Sequence, residues 1–276
     1  MLRQFRQVDV FTETAYGGNP LAVVLGADGL TTSQMQRFAN WTNLSETTFV
    51  VEPSDDRADY LVRIFTPSQE LPFAGHPTLG SCHAWLEAGG TPREPGRVSQ
   101  QCGAGLVTVA TSQKGLRFAA PPLVRSGPVD DQLAEHVAEI LRISRDEIVD
   151  LQWADNGPGW IAVLLASADA VLAVRPGPTD LDLGIAGPYP AGGPAAFEVR
   201  AFLPKNGTTD EDPVTGSFNA SLAQWLLATG RATAPYVARQ GTALGRTGEV
   251  RITTDGDGQV WVGGSTVTCV LGTVEL

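Results

Sequence analysis

Cysteine and histidine are scarce in this chain, three of each among 276 residues. Cys82, Cys102 and Cys269 form no CxxC pair, and so sparse and odd a set argues against a disulfide framework or a zinc cluster. His76, His83 and His136 give no HExxH spacing, so no metal site is expected. Basic residues are few as well, 19 against 30 acidic ones, for a formal net charge of -11. That deficit argues against nucleic acid and anionic membrane as partners. No apolar run approaches the ~20 residues of a membrane-crossing helix, and the stretch from Met1 to Phe11 carries no apolar signal core. The expectation is a cytoplasmic protein with no metal and no cofactor. If its substrate is anionic, local dipoles and specific donors must hold it, because the global field repels it.

What is present suits a folded protein of two ordinary domains. Hydrophobic residues make up 42% of the chain and charged residues 18%, enough to build a core. Residues 4–11 alternate as a strand, Gly17 to Pro20 form a turn, and Leu21 to Leu25 read as a buried strand. Thr31 and Gln34 make a capping-box pattern ahead of Met35, Phe38, Ala39 and Thr42, which predicts an amphipathic helix. Thr47 to Val51 and Val62 to Thr66 are strand candidates. A helix is expected from Pro77 to Ala88, ended by Gly89-Gly90. After a boundary at Ala119 to Pro122, a helix is expected over Asp131 to Leu141 and another from Pro213 to Thr229. Strands are expected at Trp160 to Leu165, at Phe197 to Leu203 and near the C-terminus.

The second half echoes the first. Arg63-Ile64-Phe65-Thr66-Pro67 resembles Arg200-Ala201-Phe202-Leu203-Pro204. Shortly after, His76-Pro77-Thr78-Leu79-Gly80-Ser81 resembles Asp212-Pro213-Val214-Thr215-Gly216-Ser217. The order and spacing predict a two-fold pseudo-repeat that brings Pro77 onto Pro213. Proline favours the first helical position, which puts His76 and Asp212 at helix N-caps. Helix N-termini present backbone N–H groups and a positive dipole end, a setting suited to a carboxylate. Asp212 alone is also an ordinary cap, whereas His76 is a poor one and calls for another reason. Glu46 stands at the mouth of a buried strand, flanked by Ser45 and Thr47. Desolvation there would raise its pKa toward the range useful for moving a proton between two carbons.

Three segments carry a resemblance: Asn43 to Val50 (NLSETTFV), Glu70 to Gly80 (ELPFAGHPTLG) and Glu211 to Ser217 (EDPVTGS). Gly18-Asn19-Pro20, Gln240-Gly241 and Gly245-Arg246 fit as well. In order, over almost the whole chain, these resemble the PhzF-like family of phenazine-biosynthesis isomerases. The resemblance implies an α+β fold of diaminopimelate-epimerase type. Its two pseudo-symmetric domains, each a β-barrel around a central helix, flank the active-site cleft. The halves would be residues 1–120 and 121–276, with the last strand able to return to the first. It also implies a homodimer and a cofactor-independent isomerase of secondary metabolism, shifting a proton and double bond on a small cyclic amino-acid-like carboxylate. Carried over, Glu46 is the catalytic acid/base, with His76 and Asp212 lining the cleft as catalytic partners. Ser45, Gly75, Gly216 and Ser217 lie near the ligand.

Two departures stand out. Phe218 replaces the alanine more usual in the family and is expected to narrow the helix mouth. Gly245-Arg246-Thr247-Gly248 replaces a Gly-Arg-Pro pattern more usual in the family and is expected to alter only a turn. Residues 67–74 and 204–211 are expected to be loops that set the substrate. The alternatives are an epimerase or racemase, which in this superfamily uses a cysteine at each helix mouth, a non-catalytic binder of small carboxylates, and more distantly a hydrolase using Ser45 or Ser217. The cysteines lie away from both mouths, which counts against the first.

Overall fold

The computed structural model describes residues 1–112 and 115–276. The chain forms two compact units, one of Met1–Ala119 with Gly263–Leu276, the other of Ala120–Val262. Each is described by itself.

In the first unit, β1 (Leu2–Val10), β2 (Asn19–Leu25), α1 (Thr32–Thr42), β3 (Glu46–Val51), β4 (Tyr60–Phe65) and β5 (Glu70–Leu71) lead to α2 (Gly75–Glu87). Three strands follow: β6 (Arg97–Cys102), β7 (Gly105–Ser112) and β8 (Gly115–Ala119). α1 begins where its capping box predicts: the Thr31 hydroxyl accepts from the Gln34 N–H, and the Gln34 side chain accepts from the Thr31 N–H. β1 and β2 are antiparallel, whereas β2 and β3 run parallel with Leu21 facing Glu46. The α1 crossover is what a parallel pair needs. Met35, Phe38, Phe49 and Phe65 pack as one core cluster.

α2 does not behave as a surface helix. Nine of its thirteen residues, among them Thr78 and Ser81, are buried, and it packs against β1, β2, β3, β4, β6, β7 and β8. A helix enclosed this way has no polar face to give to water, so its polar side chains must pair internally. Ser81 Oγ donates to Thr48 Oγ1 at 2.9 Å, and Thr78 Oγ1 accepts from Gln100 Nε2 at 3.0 Å. Gly80 lets helix and sheet touch closely: a Cβ there would stand 2.6 Å from Leu21 Cδ2, and that side chain would have to shift.

The second unit comprises β9 (Arg125–Pro128), α3 (Asp131–Leu141), β10 (Ile148–Asp155), β11 (Ile161–Leu165), α4 (Ala168–Ala173), β12 (Leu183–Pro188) and β13 (Phe197–Lys205). Then come β14 (Thr208–Asp212), α5 (Gly216–Ala228), β15 (Tyr236–Gln240) and β16 (Gly248–Thr254). β17 (Val260–Gly264) spans the boundary between the units, and β18 (Thr266–Glu275) pairs antiparallel with β1. β11 and β12 are parallel. Val137, Leu141, Ile161, Val163, Ile185 and Phe202 anchor the core. Residues 204–211, expected as a loop, are instead mostly the β13–β14 hairpin, with Pro204 facing Thr209.

Candidate active site

The expected register of the two helix starts needs correction. α2 starts at Gly75, so His76 is its second residue rather than its cap, and the capping position, Ala74, offers no side-chain hydrogen bond. Pro77 still falls in the first turn, where its missing N–H costs nothing. α5 starts at Gly216, three residues beyond Pro213. Asp212 is the last residue of β14, and Thr215 holds the cap position.

The correct local correspondence follows from the hairpins. Ile64 faces Leu71 and Phe65 faces Glu70 in the first, while Ala201 faces Asp212 and Phe202 faces Glu211 in the second. Arg63 forms a bidentate pair with Glu70, and Arg200 does the same with Glu211. From Leu71 and from Asp212 the helix begins four residues on. Pro213 therefore corresponds to Pro72, not Pro77, and the four extra residues lie in the second hairpin.

Glu46 and His76 come together in the first unit. Glu46 opens β3 and His76 lies at the mouth of α2, with His76 Nε2 3.3 Å from Glu46 Oε2. The imidazole is 4% exposed, and burial pushes its pKa down to about 3. It is neutral at physiological pH, so the contact is dipolar rather than an ion pair. Asn19 Nδ2 sits 3.4 Å from His76 Nδ1 on the other side of the ring. Gly75 is buried beside His76, and Ser45 is exposed just ahead of β3.

In the second unit Asp212 is half-buried, and its Oδ2 accepts from Thr215 Oγ1 at 2.6 Å. The cap hydroxyl thus orients the carboxylate instead of closing the helix, and no side chain caps α5. Gln240 ties the mouth together. Its Oε1 accepts from the Thr215 N–H and from Asn219 Nδ2, while its Nε2 donates to Asp212 O and Thr215 Oγ1. A fully buried amide satisfied at both ends rigidifies what it touches. Gly216 is buried, and Ser217 Oγ accepts from Trp160 Nε1 at 3.1 Å.

The first departure from the family pattern acts differently from expectation. Phe218 does not narrow the mouth: it is fully buried, its ring 5.2 Å from that of Trp160 and filling the space that Gly184 leaves on β12. Gly245-Arg246-Thr247-Gly248 runs from the end of a short 3-10 turn, Thr242–Leu244, to the first residue of β16. A Cβ on Gly241 would stand 2.7 Å from Pro213 O, and one on Gly248 2.3 Å from Val214 Cγ2, so this loop buttresses the start of α5.

The cysteines are poorly placed for thiol acid/base work. Cys82 is buried within α2, about two turns past its start, and burial pushes its pKa up to about 12. Cys102 and Cys269 are raised by burial too, whereas a working thiol needs a stabilised thiolate. Among the described residues no group of three or more His, Cys, Asp or Glu side chains is placed to hold a metal ion, and no helix is long and apolar enough to cross a membrane. Asn19, Trp160 and Gln240 escaped the reading of the sequence as site residues. Asn19 and Gln240 lay in quoted motifs, but only tertiary contacts show what they hold.

Residues 8–272 match the family described as phenazine biosynthesis-like protein, PhzC-PhzF. A Pseudomonas fluorescens protein named trans-2,3-dihydro-3-hydroxyanthranilate isomerase is 33% identical, with 98% of each chain covered. A Pasteurella multocida protein named as an uncharacterized isomerase is also 33% identical, over 95% of this chain and 91% of its own. A PhzF-family phenazine biosynthesis protein from Bacillus anthracis has the same fold, with a TM-score of 0.84 over 100% of both chains at 21% identity. A hydroxyproline epimerase from Agrobacterium vitis is more distant, with a TM-score of 0.59 over 99% of this chain and 92% of its own at 15% identity. The fold shared with these structures is a mixed α/β one, with a large sheet and few helices.

Proposed function

The chain belongs to the phenazine biosynthesis-like family and is an isomerase, and on that footing we propose that Glu46 moves a proton between two carbons of a small cyclic carboxylate. The observation that carries this reading is the Glu46 carboxylate at the mouth of an enclosed helix, beside an imidazole that burial keeps neutral. Glu46 takes a proton from an sp³ ring carbon. The electron pair moves through the conjugated system, and the same carboxylate returns the proton to a distal carbon. The double bond shifts, atoms and electrons balance, and no redox partner enters. In this reading the enzyme needs no cofactor. His76 and Asp212 assist proton movement or hold the substrate. Backbone N–H groups near Gly75 or Gly216 receive the substrate carboxylate, with Ser45 or Ser217 beside it.

The proposal includes the wider family picture. The two halves, 1–120 and 121–276 with the last strand returned to the first, are repeats, each a barrel around its central helix. The protein acts in the cytoplasm as a homodimer, in secondary metabolism. Size-exclusion chromatography with light scattering checks the dimer, which a monomer at working concentration contradicts. A thiol-dependent epimerase is disfavoured by the raised cysteine pKa values. The test is turnover by the purified protein of trans-2,3-dihydro-3-hydroxyanthranilate and of related cyclic diene and enamine carboxylates, followed by NMR. A shifted double bond in at least one supports the reading. No reaction across the set, despite binding, makes the protein a carboxylate binder instead.

A further inference from the structure

The Gly18-Asn19-Pro20 turn is built with more care than a strand connection requires. Gly18 is forced by the closeness of β1, since a Cβ there would stand 2.1 Å from Val10 O. Its N–H donates to Asp9 Oδ2 at 3.0 Å, and Asp9 is itself 2% exposed. Pro20 then faces Asp9 across the β1–β2 ladder. These constraints fix the backbone of Asn19, which is fully buried and points its amide at His76 Nδ1.

The chemistry of the ring settles which way each proton faces. A neutral imidazole carries one N–H, on Nδ1 or on Nε2. Nε2 lies 3.3 Å from Glu46 Oε2. An ionised carboxylate only accepts, so a lone pair on Nε2 would set two acceptors against each other in a buried place. With Glu46 ionised, as the proposed base must be, the proton belongs on Nε2 and Nδ1 accepts. Asparagine can supply that donor through its NH₂ group, at 3.4 Å in this structure. An aspartate of nearly the same shape cannot.

We propose that Asn19 is a positioning residue: it holds His76 as the Nε2–H tautomer, so that the imidazole faces Glu46 as a donor and favours the ionised carboxylate that must act as the base. The inference rests on the reading of Glu46 as that base, but the tautomer can be measured without any substrate.

The experiment is ¹⁵N NMR of the full chain labelled at histidine. With three histidines, His83→Gln and His136→Gln spectra assign His76 by elimination. The wild-type signal is expected to be the neutral Nε2–H form. In Asn19→Asp the new carboxylate demands a proton on Nδ1, so His76 is expected to invert its tautomer or to carry both protons. With a turned-over substrate, kcat of Asn19→Asp should fall roughly 10–100-fold, by analogy with the loss of a partner that orients a metal-bound histidine, while KM moves less than about 3-fold. The Nδ1–H form in the wild type overturns the proposal, even if the variant does not fold. So does an Asn19→Asp protein whose His76 signal or kcat is unchanged. Correct tautomers in a protein that turns over no substrate would leave the positioning inference standing and sink the isomerase reading instead.

Discussion

The mouths of α2 and α5 are built to one local plan and furnished differently. Each follows a hairpin clamped by an arginine–glutamate pair, and each helix starts on a glycine with no side chain capping it. In the first unit the residue after that glycine is His76, and the nearby carboxylate, Glu46, comes from the strand parallel to β2. In the second it is Ser217, and the carboxylate, Asp212, comes from the hairpin itself, steadied by Thr215. Leu183 faces Phe202 as Thr47 faces Phe65. Asp182 therefore takes the strand-mouth place in the second unit that Glu46 takes in the first. The second unit thus has an acid at the strand mouth as well as on the hairpin, so local architecture does not by itself identify the acid that reacts.

The clamps give the sharpest contrast. Arg200 and Glu211 are 5% and 13% exposed, and Arg200 also donates to Val171 O and Val174 O. Arg63 and Glu70 are 24% and 37% exposed. Removing one partner of a buried pair strands the other charge, so Glu211→Gln should cost about 3–5 kcal/mol in chemical denaturation. Glu70→Gln should cost about 0–1 kcal/mol. Equal costs would break the comparison.

At positions that do not correspond, the two helices also meet their strands with opposite sizes. The first helix is small where the strand is large, with Gly80 against Leu21. The second is large where the strand is small, with Phe218 against Gly184. Phe218→Ala should destabilise by about 3–5 kcal/mol, the usual cost of emptying a buried aromatic site. A loss below about 1 kcal/mol, with altered turnover, would return Phe218 to the mouth.

The smallest expected effect is at Asp182. Burial, with Asp155 adding like-charge repulsion, pushes its pKa from 3.8 up to about 6. A raised carboxylate pKa means that the group is fully compatible with folding below pH 3.8 and opposes it increasingly as the pH rises through about 6. Asp182→Asn should therefore raise Tm by a few degrees at pH 8 and leave it unchanged at pH 4. The same shift at both values would rule out a titration effect.

Helices that carry their own punctuation were legible in the sequence. Thr31 with Gln34 placed α1, and the apolar face of Leu133, Val137, Ile140 and Leu141 placed α3 over Asp131–Leu141. The start of α5 was not. The match of His76-Pro77 with Asp212-Pro213 spans few residues, and the true register depends on the two ion pairs and on four extra residues in a hairpin that reads as loop. Candidate acids were legible because Glu46 is odd at a strand mouth. Their neighbours were not, since Asn19 reaches His76 and Gln240 reaches Asp212 only through strand pairing.

The central claim is that the Glu46 carboxylate carries the proton, and replacing that one group tests it most directly. Glu46→Gln keeps the size and hydrogen bonding of the side chain but removes the base. The account predicts a fall in kcat of ~10²–10⁴-fold, with substrate affinity changed little. In D₂O the wild-type product should keep part of the substrate's own proton, as one sheltered carboxylate making both transfers requires. Turnover by Glu46→Gln at the wild-type rate would contradict the claim.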